Sequence, residues 1–326
     1  MPTVPEAAER VAELLMGRAC ELSGPIGSDL DFFSTIELRP LARLAPPADC
    51  WAIDGGQALV ADARCLQVAT TRAARTRWQE GACTLEDDGT FAVHILTGSG
   101  GGSEGRRSLS ELGAPVAPEA PVDLNVLRDW SEWRLVSRSV EEASPGALVL
   151  VDGDLQPDWR IPARWLADLL VRAAELKVAL VGVTKHSSLA RGGAPLVGQL
   201  ELEAEVALGP RACWWAPVAV RRPEVGPGLL VVVARLDPDA RFAFRIDVPA
   251  DADTPLVLGQ LCGLSDDAGF PGYPYPLSVA DRLAACPGWA RAEIRDELER
   301  ALDLAGVPED VKERAFTDRH ALMERA

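Results

Sequence analysis

The sequence predicts an α/β fold with a mixed sheet, in which an antiparallel meander precedes parallel strands and helices flank both. Residues 51–74 contain three segments of strand-like composition, with Gly55-Gly56 expected as the first turn. The middle of the chain then alternates amphipathic and continuous apolar segments, a pattern typical of helix-connected parallel strands. These two patterns carry the fold prediction.

The parallel part of the sheet is predicted from three segments. Between 122 and 140 the apolar residues recur at steps of three and four, which indicates a helix. Continuous apolar runs at 147–151 and 178–183 indicate two buried strands. Pro162 opens a helix between them.

The remaining segments complete the predicted organisation. Residues 1–45 are predicted to form an N-terminal helix followed by a proline-rich stretch. Residues 288–326 are predicted to form a C-terminal extension with two helices. The core domain is expected to span 46–287. It would contain a flexible loop at about 97–121 and a β-rich insertion at about 190–250 with three strands, and a late helix would start at Pro276.

The loop region contains a GxGxxG pattern at Gly100, Gly102 and Gly105. A dinucleotide site needs this pattern between a strand and a helix. Because a serine- and proline-containing linker is expected to follow, the pattern is interpreted as an accident of composition.

Composition narrows the class of protein. The 326 residues carry a net charge of −16 and are 48% hydrophobic, which fits a globular chain and disfavours a surface that coats nucleic acid. We expect a cytoplasmic protein, because there is no apolar run of about 20 residues and no signal peptide. The seven cysteines have no CxxC spacing, so neither a disulfide framework nor a zinc site is expected.

Four acidic residues occupy informative positions. Asp54 and Asp152 follow predicted strands, Glu132 borders the apolar stripe of a helix, and Asp281 lies on the apolar face of the late helix. Each alone is also explained as a turn or surface residue. Together, after a meander, their order is the RNase H-like pattern. Clustered carboxylates need cations, and hard oxygen ligands suit two Mg²⁺ or Mn²⁺ ions.

Six segments extend this pattern over about 50–285, and with them the chain resembles the NurA nucleases. They are AIDGGQ (52–57), LRDWSEWRLVSRSVE (127–141), LVLVDGDL (148–155), VGVTKHSS (181–188), FRIDVP (244–249) and GYPYPLSVADRLA (272–284). The resemblance implies an RNase H-like domain that cuts single-stranded DNA and duplex ends during end resection and double-strand-break repair. It also implies a homodimer that works with a HerA-type hexameric ATPase.

The resemblance also implies roles for individual residues. Asp54, Glu132 and Asp152 match the metal-binding acids of the family, and Tyr273 matches an active-site tyrosine. Lys185 matches a basic residue placed to meet a phosphate.

The chain departs from the family at Asp281, where the family usually has histidine. We expect Asp281 to complete a four-carboxylate site. Because of this departure, a non-catalytic adaptor that binds the ATPase or DNA remains an alternative. A second alternative is an ATP-binding protein of the actin and sugar-kinase class, since IDGG would fit its first strand end.

Overall fold

The computed structural model describes residues 3–17, 20–25, 29–222, 226–317 and 323. The strands are β1 Leu22–Ser23, β2 Leu30–Phe32, β3 Arg39–Pro40, β4 Asp49–Asp62, β5 Leu66–Gln79, β6 Ala82–Asp87, β7 Ala92–Thr97, β8 Leu148–Asp152, β9 Ala179–Thr184, β10 Ala190–Arg191, β11 Ala194–Pro195, β12 Trp214–Arg221, β13 Leu229–Arg235 and β14 Phe244–Pro249. The helices are α1 Val4–Met16, α2 Gly102–Glu111, α3 Leu124–Glu142, α4 Ala163–Glu175, α5 Leu196–Leu208, α6 Thr254–Gly263, α7 Tyr275–Ala284, α8 Gly288–Leu304 and α9 Glu309–Phe316.

The predicted mixed sheet is confirmed. Its strand order is β2-β12-β13-β14-β9-β8-β4-β5-β6, with β3 added beside β12 and β7 beside β5. Strands β4, β8 and β9 run parallel to one another, and the other pairings in this sheet are antiparallel. Strands β1, β10 and β11 form a separate small sheet.

The side chains of β4 alternate between two layers of the hydrophobic core, one on each face of the sheet. Cys50 and Ala52 pack in the layer formed with α6 and α7, whereas Trp51 and Ile53 pack in the layer formed with α3 and α4. Successive side chains of a strand point to opposite faces. Asp54 therefore points to the α7 face, and position 55 faces α3.

The predicted turn at Gly55-Gly56 is wrong, because both glycines lie inside the continuous strand β4. The reason for glycine is close packing on both faces. A Cβ on Gly55 would lie 2.8 Å from Glu132 Oε2 on α3, and one on Gly56 would overlap the carbonyl oxygen of Ala284 on α7. The glycines thus let two helices approach one strand.

The flexible loop predicted at 97–121 is also wrong over its central part, where α2 follows β7. Leu109 and Gly105 of this helix are buried beside Leu96 and Val122. The GxGxxG pattern therefore does follow a strand and open a helix, with Gly102 and Gly105 in the first turns of α2. However, β7 pairs antiparallel with β5 rather than belonging to a parallel βαβ unit, so the dinucleotide context is still missing.

The region 190–250 differs from the predicted insertion in two ways. It contains helix α5, which the sequence analysis missed although Leu196, Leu200 and Ala204 repeat at helical spacing and are buried. Its strands β12, β13 and β14 are present close to the predicted positions, but they extend the main sheet rather than forming a separate element.

Helices occur near both termini, as predicted, in α1, α8 and α9. Part of the predicted C-terminal extension, at 318–322 and 324–326, lies outside the described residues. The domain boundaries remain predictions. Within the described ranges, the helices are too short or too polar to cross a bilayer.

Candidate active site

Two aspartates meet where β4 and β8 run side by side. Asp152 is the last residue of β8, as predicted, whereas Asp54 lies within β4 rather than at its end. Since Ile53 pairs with Val151 in the parallel register, the two aspartates follow at the same level of the sheet. Asp281 on α7 covers them from the same face, and one carboxylate oxygen from each of the three lies within 4.8 Å of the others. We call Asp54, Asp152 and Asp281 the carboxylate cluster.

Lys185 provides a positive charge at this cluster. It follows β9 directly, and its Nζ lies 2.6 Å from Asp152 Oδ2 and 2.7 Å from Asp281 Oδ1. The ammonium also lies 5.1 Å from the centre of the Tyr273 ring. Lys185 was expected to meet a phosphate; here its single positive charge is shared between two of the three carboxylates.

Glu132 approaches Asp54 from the opposite face of the sheet. Its side chain is buried on α3 and reaches the strand over Gly55, where no side chain blocks it. Arg128, one helical turn earlier, donates to Glu132 Oε2 at 3.1 Å and to the Gly55 carbonyl at 3.3 Å. Glu132 is thus adjacent to the carboxylate cluster without belonging to it. Arg128 was missed, although its i,i+4 spacing from Glu132 is visible in the sequence.

Burial and repulsion make these acids costly to ionise. Burial, followed by the charge of Asp152, raises the pKa of Asp54 to about 7, although the Gly55 N–H donates to its Oδ1 at 2.7 Å. Burial, followed by the charge of Asp54, raises the pKa of Glu132 well above its usual range. A bound cation would offset both effects.

Tyr273 forms one wall of the site. Its ring is buried and packs against Phe244 and Phe270, with ring centres 5.4 and 5.9 Å away. Burial and the nearby charge of Asp152 raise the pKa of the hydroxyl well above its usual range, so the group stays protonated. This hydroxyl has no hydrogen-bond partner of normal geometry among the described residues, and it is available to donate.

A buried ion pair fixes the turn that follows Asp152. Arg245 and Asp247 on β14 form a double hydrogen bond with both N–O distances at 2.8 Å. Asp247 accepts from the Leu155 N–H at 3.2 Å, and Arg245 pairs with Asp154 at 3.1 Å. The sequence analysis gave these residues no role, although two charged residues in an apolar strand are an unusual signal.

The residues present fit a divalent cation. All donors are carboxylate oxygens, which are the ligands that Mg²⁺ and Mn²⁺ prefer. When the carboxylate cluster and Glu132 are all ionised, Lys185 and Arg128 neutralise only two of the four charges. The two remaining negative charges match one divalent ion, with Asp54, Asp152 and Asp281 close enough to hold it.

The fold and the site together define a mixed-sheet protein of RNase H-like architecture with an acidic centre. No protein-family model matches the sequence, and no curated protein matches it. Among solved structures, the NurA nuclease from Sulfolobus solfataricus is similar, with 16% identity and a TM-score of 0.53 over 82% of this chain and 88% of that one. The resemblance to NurA is therefore confirmed in the fold.

Two further structures match with lower TM-scores. A NurA structure with manganese has 10% identity and a TM-score of 0.48, over 82% of this chain and 91% of that one. The catalytic domain of human endonuclease V has 16% identity and a TM-score of 0.39, over 80% of this chain and 92% of that one.

Proposed function

We propose that this chain is a metal-dependent DNA nuclease that hydrolyses phosphodiester bonds. The observation that carries the proposal is the carboxylate cluster, in which three oxygens from two parallel strands and a covering helix lie within 4.8 Å of one another. Sites in sheets of this kind form beyond the carboxyl ends of parallel strands, which is where Asp152 lies. The fold shared with the S. solfataricus NurA nuclease supports the same conclusion.

Asp54, Asp152 and Asp281 would hold the ion, with Glu132 behind Asp54. We propose two Mn²⁺ or Mg²⁺ ions, because the four carboxylates would carry enough negative charge for both when Lys185 and Arg128 pair with the substrate instead. Bound metal lowers the pKa of a water and polarises the phosphorus–oxygen bond.

The remaining polar groups position the substrate. Lys185 lies at the rim and is 34% exposed, so its ammonium can move to a non-bridging phosphate oxygen. The protonated Tyr273 hydroxyl is free to donate a hydrogen bond to a substrate oxygen. Arg128 is 30% exposed and can meet a phosphate from the α3 side. These three donors would offset the charge that develops during hydrolysis.

The biological setting follows from the resemblance and the charge. A net charge of −16 disfavours unaided DNA binding. We therefore propose that a HerA-type hexameric ATPase delivers DNA to a homodimer of this chain during end resection and double-strand-break repair.

The test is cleavage of end-labelled single-stranded DNA with Mn²⁺, Mg²⁺ or EDTA. Metal-dependent cutting by the wild type should be lost in Asp54→Ala and kept in Asp251→Ala, an exposed acid in the turn between β14 and α6. Equal cutting by all three proteins would indicate a contaminant or a different site. If the wild type alone does not cut, the assay is repeated with the ATPase, and inactivity there would refute the proposal.

One observation favours a second candidate, a non-catalytic adaptor. Lys185 already pairs with Asp152 and Asp281, and Asp281 stands where the NurA family usually has histidine. An adaptor would bind the ATPase or DNA without cutting in either metal. In that case Asp281→His should restore cutting if the aspartate alone causes the inactivity.

A further inference from the structure

A groove of about 780 Å³ opens at the far end of β4 from Asp49. One wall is the β4–β5 hairpin, residues 59–64, and the other consists of α8 and the end of α9. Val60 of β4 packs with Ile294 and Leu298 of α8. Gly56, on the Asp54 face of the same strand, lies against Ala284 at the end of α7, and α8 begins four residues later. The groove and the carboxylate cluster therefore share one side of the molecule.

The groove is basic in an otherwise acidic chain. Four of its lining residues are arginines, Arg64, Arg291, Arg295 and Arg314, against one carboxylate, Asp62. The first two are exposed and form no ion pair with any residue that the structure describes. The other two each pair with an acid four residues away and remain 45% and 77% exposed. The local excess of positive charge is available to an anionic ligand.

The arrangement suits a chain of phosphates. Gly288, Arg291 and Arg295 recur at steps of three and four, so they lie along one face of α8. The first turn of this helix contains no acidic residue, and its N-terminus adds partial positive charge. Guanidinium groups bind phosphate through two parallel hydrogen bonds.

The distance to the carboxylate cluster fits one continuous ligand. From Asp54 to Leu59, where the groove starts, β4 advances by roughly 17 Å. A nucleic acid strand spans that distance in a few nucleotides. An acidic peptide could also bind arginines, but it offers no phosphodiester to the cluster.

We propose that the groove lined by Arg64, Arg291 and Arg295 binds the phosphate backbone of a single DNA strand whose continuation enters the carboxylate cluster. The proposal rests on the proposed nuclease function for the identity of the strand. It assigns the β4–β5 hairpin and α8 as the surface that holds DNA beyond the scissile bond.

The test measures binding without cutting. Fluorescence anisotropy of a labelled single-stranded oligonucleotide in EDTA compares the wild type with Arg64→Gln/Arg291→Gln. The control, Arg164→Gln/Arg211→Gln, removes the same charge from exposed arginines on α4 and before β12. At about 50 mM salt the groove variant should bind the oligonucleotide about tenfold more weakly. Its plot of log affinity against log salt concentration should be shallower by about 1.4, which is 0.7 for each of the two lost phosphate contacts. The control should stay near the wild type.

Equal weakening by both double variants, or none by either, would overturn the proposal. The proposal would also be overturned if DNA does not bind but a polyglutamate peptide binds the wild type and not the groove variant. The groove would then be a docking site for an acidic protein. Unfolding midpoints from circular dichroism verify that the variants are folded.

A separate arm isolates the nuclease function. Hydrolysis of bis(p-nitrophenyl) phosphate with Mn²⁺ needs only the carboxylate cluster, so the groove variant should retain the wild-type rate. If the wild type does not hydrolyse this ester, the nuclease proposal is weakened, while binding in EDTA still decides whether the groove holds DNA.

Discussion

Lys185→Met removes the ammonium that neutralises the carboxylate cluster. In the metal-free protein the change leaves Asp152 and Asp281 without the cation that lies 2.6 and 2.7 Å from them. At an effective dielectric constant of about 20, each contact has a Coulomb attraction of about 6 kcal/mol before desolvation and screening are counted. Lys185 is 34% exposed and Asp281 is 53% exposed, so screening reduces the expected total loss to about 2–4 kcal/mol.

The assay is thermal unfolding with EDTA or with excess Mn²⁺. For a chain of this length, a loss of that size lowers the midpoint by about 3–6 °C in EDTA. Mn²⁺ at about 100 times its dissociation constant should add about 2.7 kcal/mol to either protein. Because the ion no longer competes with an ammonium, the variant should bind Mn²⁺ several-fold more tightly than the wild type.

The matched control is Lys177→Met, which makes the same substitution at an exposed turn residue. It should change neither the midpoint nor the Mn²⁺ affinity. The reasoning is refuted if Lys185→Met is as stable in EDTA as Lys177→Met, or if it binds Mn²⁺ more weakly than the wild type.

Three further predictions concern the framework that carries the site. Gly55→Ala places a Cβ 2.8 Å from the Glu132 carboxylate and should cost about 1–3 kcal/mol in urea unfolding, whereas Gly198→Ala, with open space around it, should be neutral or stabilising. Burial alone would raise the pKa of Asp49, but hydrogen bonds from a β5 arginine and a backbone N–H outweigh it, so the pKa is lowered. The ionised carboxylate therefore stabilises the folded protein fully above the ordinary aspartate pKa. This contribution is lost as the pH falls through the lowered value. Asp49→Asn should therefore be about 1–3 kcal/mol less stable near pH 7, with the difference shrinking below about pH 4; a constant difference would contradict this. Asp247→Ala removes the buried carboxylate that holds the Arg245 guanidinium through two hydrogen bonds and leaves it only the partly exposed Asp154, so it should cost about 3 kcal/mol, measured as a lower urea midpoint.

The part of the fold that follows from local pattern was predictable. Continuous apolar runs placed β8 and β9 correctly, because strands buried on both faces leave that signature. The Gly55-Gly56 turn was wrong because a glycine pair has two explanations, a turn or close packing. Only the positions of α3 and α7 distinguish them. Long-range packing of this kind is not written in the neighbouring residues.

In the candidate site, too, some features follow from local sequence patterns and others depend on long-range packing. Asp54, Asp152 and Asp281 were expected together, and the structure brings them within 4.8 Å. Glu132 lies beside them but on the other face of the sheet. Its placement depends on a strand–helix contact that no local pattern reports. The pairing of Lys185 with two acids likewise depends on α7 packing over β4 and against β8, which brings Asp281 to Asp152.

Asp54, Asp152 and Asp281 are proposed to form one metal-binding centre. A titration of the purified protein with Mn²⁺ measures whether they do. Electron paramagnetic resonance follows the loss of the free-ion signal, for the wild type, Asp152→Asn and the control Asp62→Asn. We expect saturable binding by the wild type and the control, and loss of affinity in Asp152→Asn. Equal binding by all three proteins, or none by the wild type, would contradict this expectation.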